Sequence, residues 1–321
     1  MELREVDTPS PGPGQVQIHV RAVGLNPIDY KTRQGAVRII NRLTFPAVAG
    51  NELAGVVSAV GSGVSRFSTG DKVYARVDKN QMGAFAEYAV VAEDLVAVMP
   101  SSLTFEQAAG VPLAGLTALQ ALRDELSVAK GSKIFISGGA GGVGTFAIQL
   151  ATWLGAEVAT TASVRGAELT KRLGADVIVD YTTEKFDDVL HGYDGAFDLI
   201  GGDTLDRTFK ILKPGAKIVS VAGLPEPATA RLDLEAGPFL TALFWALSLG
   251  TRRKARRHNV TYRYLLMHPS GDDLTVLAGL IDSGKLEVVL DRTFAFRDIA
   301  DAMAYLETGR AKGKVVVSLE S

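Results

Sequence analysis

Hydrophobic and polar positions change rhythm once along this chain, near residue 100. Before that point they alternate. In VQIHVRAV (16–23), Val16, Ile18, Val20 and Ala22 share one face, and Gln17, His19 and Arg21 share the other. LAGVVSAV, DKVYARV and AFAEYAVV repeat the alternation, separated by Gly, Ser, Asp and Pro. Period two with turn residues between the runs predicts a small antiparallel barrel or sandwich. His19, on the polar face, reads as a solvated strand residue.

Beyond residue 100 short apolar runs alternate with helical ones. KIFISG leads through a glycine cluster into the helix TFAIQLATWL. EVATTA, a helix through GAELTKRLGA and DVIVDY follow, then FDLIGG, the helix TLDRTFKIL and KIVSVAG. This order predicts a parallel sheet with helices on both faces, an α/β doubly wound domain. VTYRYLLM (260–267) is predicted as a sixth strand. The tail, from LEVVLDRTFAF to GKVVVSLE, returns to strand–helix–strand and is expected to rejoin the first domain.

The glycine cluster Gly139-Ala140-Gly141-Gly142-Val143-Gly144 matches G-x-G-x-x-G, and it follows a predicted strand and opens a predicted helix. That context, more than the pattern, marks a dinucleotide site: glycine lets the backbone approach a pyrophosphate, and the helix N-terminus offers free N–H groups. An NAD site usually carries an acid at the end of the next strand, for the ribose hydroxyls. Here stand Thr160-Thr161-Ala162-Ser163-Val164-Arg165, with no acid before Glu168. A hydroxyl and a guanidinium suit a phosphate, so Ser163 and Arg165 point to NADP. Tyr181, closing DVIVDY, is a candidate to cover the adenosine phosphate.

Composition narrows the picture further. With 321 residues, two domains are expected. A net charge of −2 gives no global field to recruit nucleic acid. The chain has no Cys, which excludes disulfides, thiol nucleophiles and thiolate metal sites. The N-terminal MELREVDTPSPGPG lacks the apolar core of a signal peptide. The most apolar stretch, GPFLTALFWALSLG, falls short of the roughly 20 residues that span a bilayer, so a cytoplasmic protein with no membrane span is expected. This stretch and the following TRRKARR are expected to form a helix. Its apolar face, with Phe239, Phe244 and Trp245, would lie over the substrate cleft and its basic end in solvent, so that the segment is not a membrane anchor.

AGNELAGVV (49–57) sets Asn51 and Glu52 into an apolar run. A carboxylate there must be paired, hydrogen-bonded or metal-bound.

The motifs GLNPIDYKTRQG, FPAVAGNELAGVV, GDKVYA, GAFAEYAVV, AAGVPLAGLTALQAL, SGGAGGVGTFAIQLA, LGADVIVDY and GRAKGKVVV occur in one order along the chain. In them the sequence resembles the zinc-free quinone oxidoreductase branch of the medium-chain dehydrogenase/reductase superfamily, which includes the zeta-crystallins, and in particular its NADPH-dependent enone and alkenal reductases. The strand with which that family usually begins has no counterpart ahead of LREVDTPSPGPG.

The resemblance implies a GroES-like β-barrel substrate domain (1–114 and 271–321), a Rossmann domain binding NADP(H) (115–270) and an active site in the cleft between them. In zinc-dependent relatives the positions of Asn51 and Asp29 hold His and Cys ligands, so no zinc is expected here, and Glu52 is read as a structural acid. Hydride addition to a quinone or to the C=C bond of an α,β-unsaturated carbonyl is the implied reaction, since its developing oxyanion needs only donors. The family's cleft segment assigns catalytic roles to Asn26, Tyr30 and Lys31. Lys31, Thr117, Gly313 and Lys314 join the residues expected to touch the cofactor. A small apolar electrophile is the expected substrate and a homodimer the expected assembly. Two alternatives stay open: an NADPH-binding structural or regulatory protein, and a peripheral membrane or RNA contact through residues 252–257.

Overall fold

The computed structural model describes residues 2–38 and 46–320. Met1 and Phe45, which fall within readings made above, lie outside the described residues. The chain divides into two compact units, Met1–Leu116 with Pro269–Ser321, and Thr117–His268.

The first unit is built on a seven-stranded sheet. Its strands are β1 (Gln15–Leu25), β2 (Glu52–Val60), β3 (Lys72–Arg76), β4 (Tyr88–Ala92) and β5 (Val96–Val98). The remaining two, numbered in chain order for the whole protein, are β12 (Leu290–Ala295) and β13 (Lys314–Ser318). The path runs β12-β13-β1-β2-β3-β5, with β4 on β1. β1 is long enough to serve three neighbours: residues 15–19 pair with β4, 22–25 with β13, and the opposite edge with β2. Two register shifts against β2 relieve its length, as bulges do.

Val16, Ile18, Val20 and Ala22 are all buried, as period two requires, and the first three pack with Leu53, Val57, Val73 and Val91. His19 differs from its expectation. It is half-buried, with its ring stacked at 4.8 Å on Tyr88, its cross-strand neighbour.

The second unit carries a six-stranded parallel sheet ordered β11-β10-β9-β6-β7-β8. Its strands are β6 (Lys133–Ile136), β7 (Glu157–Ala162), β8 (Val177–Asp180), β9 (Tyr193–Asp198), β10 (Leu212–Ser220) and β11 (Thr261–Tyr264). This is the doubly wound order, reversing direction between β6 and β9. The apolar helix Gly142–Trp153, buried through Phe146, Ile148 and Leu150, follows β6 directly.

Two sequence expectations need correction. β9 ends at Asp198 instead of running through FDLIGG, because the Asp198 carboxylate accepts the N–H groups of Ile200 and Gly201 and turns the chain. The segment 237–257 is two helices, Pro238–Leu247 and Leu249–Arg257, not one. At the break the buried Ser248 donates its hydroxyl to the Phe244 carbonyl and accepts from Arg252 Nε. Of the three aromatics expected to lie over a cleft, only Phe244 is buried; Phe239 is 82% exposed and Trp245 52%.

Candidate active site

The acid of AGNELAGVV sits at the centre of a buried polar cluster in the first unit. Glu52 is fully buried and opens β2. Its Oε1 accepts from Lys314 Nζ at 2.8 Å and from Asn26 Nδ2 at 2.6 Å. Its Oε2 accepts the Leu113 N–H at 2.6 Å, so the carboxylate satisfies an orphan donor at the start of the helix Pro112–Leu119. Space for it comes from Gly24 on β1, where an added Cβ would lie 2.2 Å from Glu52 Oε1. Only glycine tolerates that approach.

Around Glu52 the amides are used at both ends. Asn26 Oδ1 accepts from Lys314 Nζ at 2.5 Å, which also donates to the Leu25 carbonyl at 3.2 Å. Asp29 reaches back to the Asn26 N–H at 2.7 Å, holding the first turn of the helix Pro27–Arg33, and accepts from Asn51 Nδ2 at 2.6 Å. The buried Arg76 donates to the Asn51 carbonyl at 3.2 Å. Two carboxylates thus balance two cations in a region closed to water.

Burial pushes the Asp29 carboxyl up to about 6, against the opposing effect of the Asn51 hydrogen bond. The same desolvation lowers the Arg76 guanidinium, with Asp29 and Glu52 acting against it. Asp29 therefore binds its proton more tightly folded than unfolded. Its contribution to stability is full below about pH 4 and lost as pH rises through 6, by about 3 kcal/mol in all. Asp29→Asn should remove that slope. The check is urea unfolding of both proteins across this range; parallel stability–pH curves would show that Asp29 titrates normally.

The residues do not fit a catalytic zinc. Such a site takes three protein ligands, commonly His or Cys. Here Asp29 and Asn51 bond each other, the acid beside them is held by an ammonium, and neither His nor Cys belongs to the cluster. Among the described residues no group of three or more His, Cys, Asp or Glu is arranged to hold a metal.

The remaining cleft-motif residues sit on the helix Pro27–Arg33. Tyr30 is half-buried against the core, and burial, then the Glu307 charge, raises its phenol. Lys31 is exposed, and its ammonium has no hydrogen-bond or ion-pair partner among the described residues. Gly313 is buried with φ +97° against the Val289 carbonyl. Lys314, read from sequence as a cofactor contact, spends its ammonium inside the cluster, as Asn26 does its amide.

In the second unit, the loop after β6 has the shape a pyrophosphate needs. A Cβ on Gly139 would meet Thr160 Oγ1 at 2.3 Å, and one on Gly144 the Gly138 carbonyl at 2.4 Å, whereas one on Gly141 would meet only the Gly138 carbonyl, at 3.4 Å. Gly141 starts the helix Gly142–Trp153 with no side chain capping it. Such an end presents unsatisfied N–H groups to an anion. The loop is pinned through the Gly138 and Gly139 N–H groups to Thr161, at the end of β7.

Ser163 precedes the helix Val164–Arg172, yet its hydroxyl does not cap it. Arg165, the second residue of that helix, is exposed and its guanidinium is unpaired among the described residues. Tyr181 follows β8 and is 59% exposed. Thr117 is buried in the helix Pro112–Leu119. These groups fit an adenosine dinucleotide carrying a ribose phosphate.

The sequence reading passed over Asp198. Fully buried at the end of β9, it accepts from Ser137 Oγ beyond β6 at 3.1 Å and from Ser220 Oγ on β10 at 2.7 Å. Ser137 and Ser220 in turn accept the Leu199 and Gly223 N–H groups. One carboxylate thus fixes the loops at the carboxyl ends of three strands, where open α/β sheets bind ligands. The signal in the sequence was a Ser or Asp ahead of the glycine in each of ISG, FDLIG and VSVAG.

Known proteins agree with this geometry. The family described as "Alcohol dehydrogenase GroES-like domain" matches residues 12–101, and that described as "Zinc-binding dehydrogenase" matches 173–317. The NADPH-dependent alkenal/one oxidoreductase of Arabidopsis thaliana chloroplasts is 39% identical over 314 residues, 94% of this chain and 72% of the relative. The quinone oxidoreductase structure from Coxiella burnetii superposes with a TM-score of 0.85 at 32% identity, covering 99% of this chain and 95% of that one. The Escherichia coli quinone oxidoreductase complexed with NADPH gives 0.82 at 25%, covering 98% and 94%. The fold is thus a GroES-like domain joined to a Rossmann domain. The chain belongs to the quinone and alkenal/one oxidoreductases of the medium-chain dehydrogenase/reductase superfamily.

Proposed function

We propose that this protein is an NADPH-dependent reductase of quinones or of the C=C bond of α,β-unsaturated carbonyls, working without zinc. The observation that carries the reading is the uncapped glycine-lined helix start followed, one strand later, by an unengaged serine hydroxyl and an unpaired arginine. The relatives' own chemistry supports it. Residues 1–114 and 271–321 are proposed as the substrate domain, and 115–270 as the NADP domain.

Bound NADPH supplies the hydride. Gly139, Gly141, Gly142, Val143 and Gly144 would hold its pyrophosphate through backbone N–H groups, Ser163 and Arg165 its ribose phosphate, and Tyr181 would cover the adenosine. Thr117 and Gly313 are proposed to close on the nicotinamide end. Lys31, with Tyr30 as a second donor, would stabilise negative charge growing on the acceptor oxygen. Asn26 and Lys314 would act indirectly, by fixing the start of the helix Pro27–Arg33 that carries Lys31.

The test is NADPH oxidation against quinones, enones and alkenals. Turnover of none, with NADPH still bound, would favour a structural or regulatory NADPH-binding protein. Arg165→Ala should weaken NADPH binding about 10- to 150-fold and leave NADH nearly unchanged, as loss of one charge-assisted phosphate contact does. Equal losses for both cofactors, by fluorescence titration, would refute the phosphate contact.

Among the described residues no helix is long and apolar enough to cross a membrane. We further propose a homodimer in the cytoplasm, testable by light scattering and cell fractionation.

A further inference from the structure

The helix Pro238–Leu247 is apolar on all sides except Thr241. Only Phe244 is fully buried; Pro238, Phe239, Ala242, Trp245, Ala246 and Leu247 are all exposed. A helix in water ordinarily turns charged residues outward. This one turns out none.

Cations flank it at both ends. Residues 236–257 contain no Asp or Glu, and the six positions 252–257 hold Arg252, Arg253, Lys254, Arg256 and Arg257. Arg252 lies over the Trp245 ring at 5.5 Å and donates to the Trp245 carbonyl at 2.8 Å, so the basic helix starts against the apolar face. Lys254 is paired with Asp206. Arg253, Arg256 and Arg257 are exposed, and their guanidinium groups have no partner among the described residues. On the other side Arg231, with Trp245, Pro238 and Thr241, lines an open hollow of 460 Å³.

We propose that this face docks on the surface of an anionic lipid bilayer, lying in the interface without crossing it. Tryptophan, phenylalanine and leucine enter the headgroup–acyl boundary while flanking arginines meet lipid phosphates, the arrangement of interfacial helices. A second copy of the chain fits this face less well, because contact of this segment with itself covers the apolar residues but offers the arginines no acid, residues 236–257 having none. Single-stranded RNA would use the arginines but gains little from outward Pro238, Ala242 and Ala246.

The test is sedimentation of the full-length protein with vesicles of phosphatidylcholine alone and with added phosphatidylserine. Binding is expected only to the anionic vesicles and should be lost at about 0.5 M NaCl, where charge is screened within a few ångströms. Arg253→Gln/Arg256→Gln/Arg257→Gln should weaken it about 100-fold. Phe239→Ser/Trp245→Ser should also weaken it, and the blue shift of tryptophan emission on binding should vanish in Trp245→Phe.

Absence of binding to anionic vesicles, or equal binding to neutral ones, would overturn the proposal. Binding that ignores the aromatic pair would do the same, since it would reduce the face to a charge cluster of the kind RNA uses. A folded aromatic variant that loses an oligomer in light scattering would show instead an interface between copies. Should the aromatic variant fail to fold, the triple arginine variant, altered only at exposed positions, decides.

Discussion

Replacing Lys314 by methionine is expected to destabilise the protein by about 3–5 kcal/mol, the usual result of stranding a buried charge. Lys314 and Glu52 are 3% and 0% exposed and 2.8 Å apart. Methionine fills the stem's volume but leaves Glu52 with only Asn26 Nδ2 and the Leu113 N–H as donors. The buried Glu52 carboxylate would then lack its counter-ion, at a large desolvation cost. The second variant Lys314→Met/Glu52→Gln should recover much of the loss, because a neutral amide needs no counter-ion. Urea unfolding of the three proteins is the measurement. A loss under about 1 kcal/mol, together with a tenfold or greater drop in NADPH affinity, would return Lys314 to the cofactor.

Lys31→Met should lower kcat by a factor of about 100 to 1000, the usual cost of losing one oxyanion donor. Lys31 belongs to a helix whose first turn is anchored in the buried cluster by Asp29, yet its own ammonium is exposed and unpaired among the described residues. Rigid backbone with a free charge is what a transition-state donor needs, since the group is positioned before the reaction and not neutralised before it. Methionine keeps the stem and removes the charge, so folding should be unaffected. A contact with cofactor ribose alone would appear mainly as weaker NADPH binding. Steady-state kinetics with an enone and a quinone, beside a fluorescence titration of NADPH, separate the two roles. Unchanged turnover and unchanged affinity would make Lys31 an ordinary surface lysine.

The sequence by itself determined what rests on local rules. Period-two alternation put Val16, Ile18, Val20 and Ala22 on the buried face of β1, because successive strand side chains point to opposite faces. The glycine cluster announced its strand–turn–helix, because close backbone packing there admits nothing larger. Those rules also placed Ser163 and Arg165 at the start of the helix that follows β7. The resemblance added the cleft motif.

What only the tertiary structure decided depends on contacts distant in sequence. Glu52 and Lys314 are 262 positions apart, and no local pattern says which cation answers a buried acid. β13 pairing with β1 brings them together, and with that pairing Asn26 and Lys314 became parts of a buried scaffold. Asp198 likewise gained its meaning only when the parallel sheet set Ser137 and Ser220 beside it. In the segment 237–257, hydrophobicity said that something apolar must be met but not by what. The helix start fixed one aromatic inward and left two facing out, because burial is settled by what packs against a helix and not by its composition.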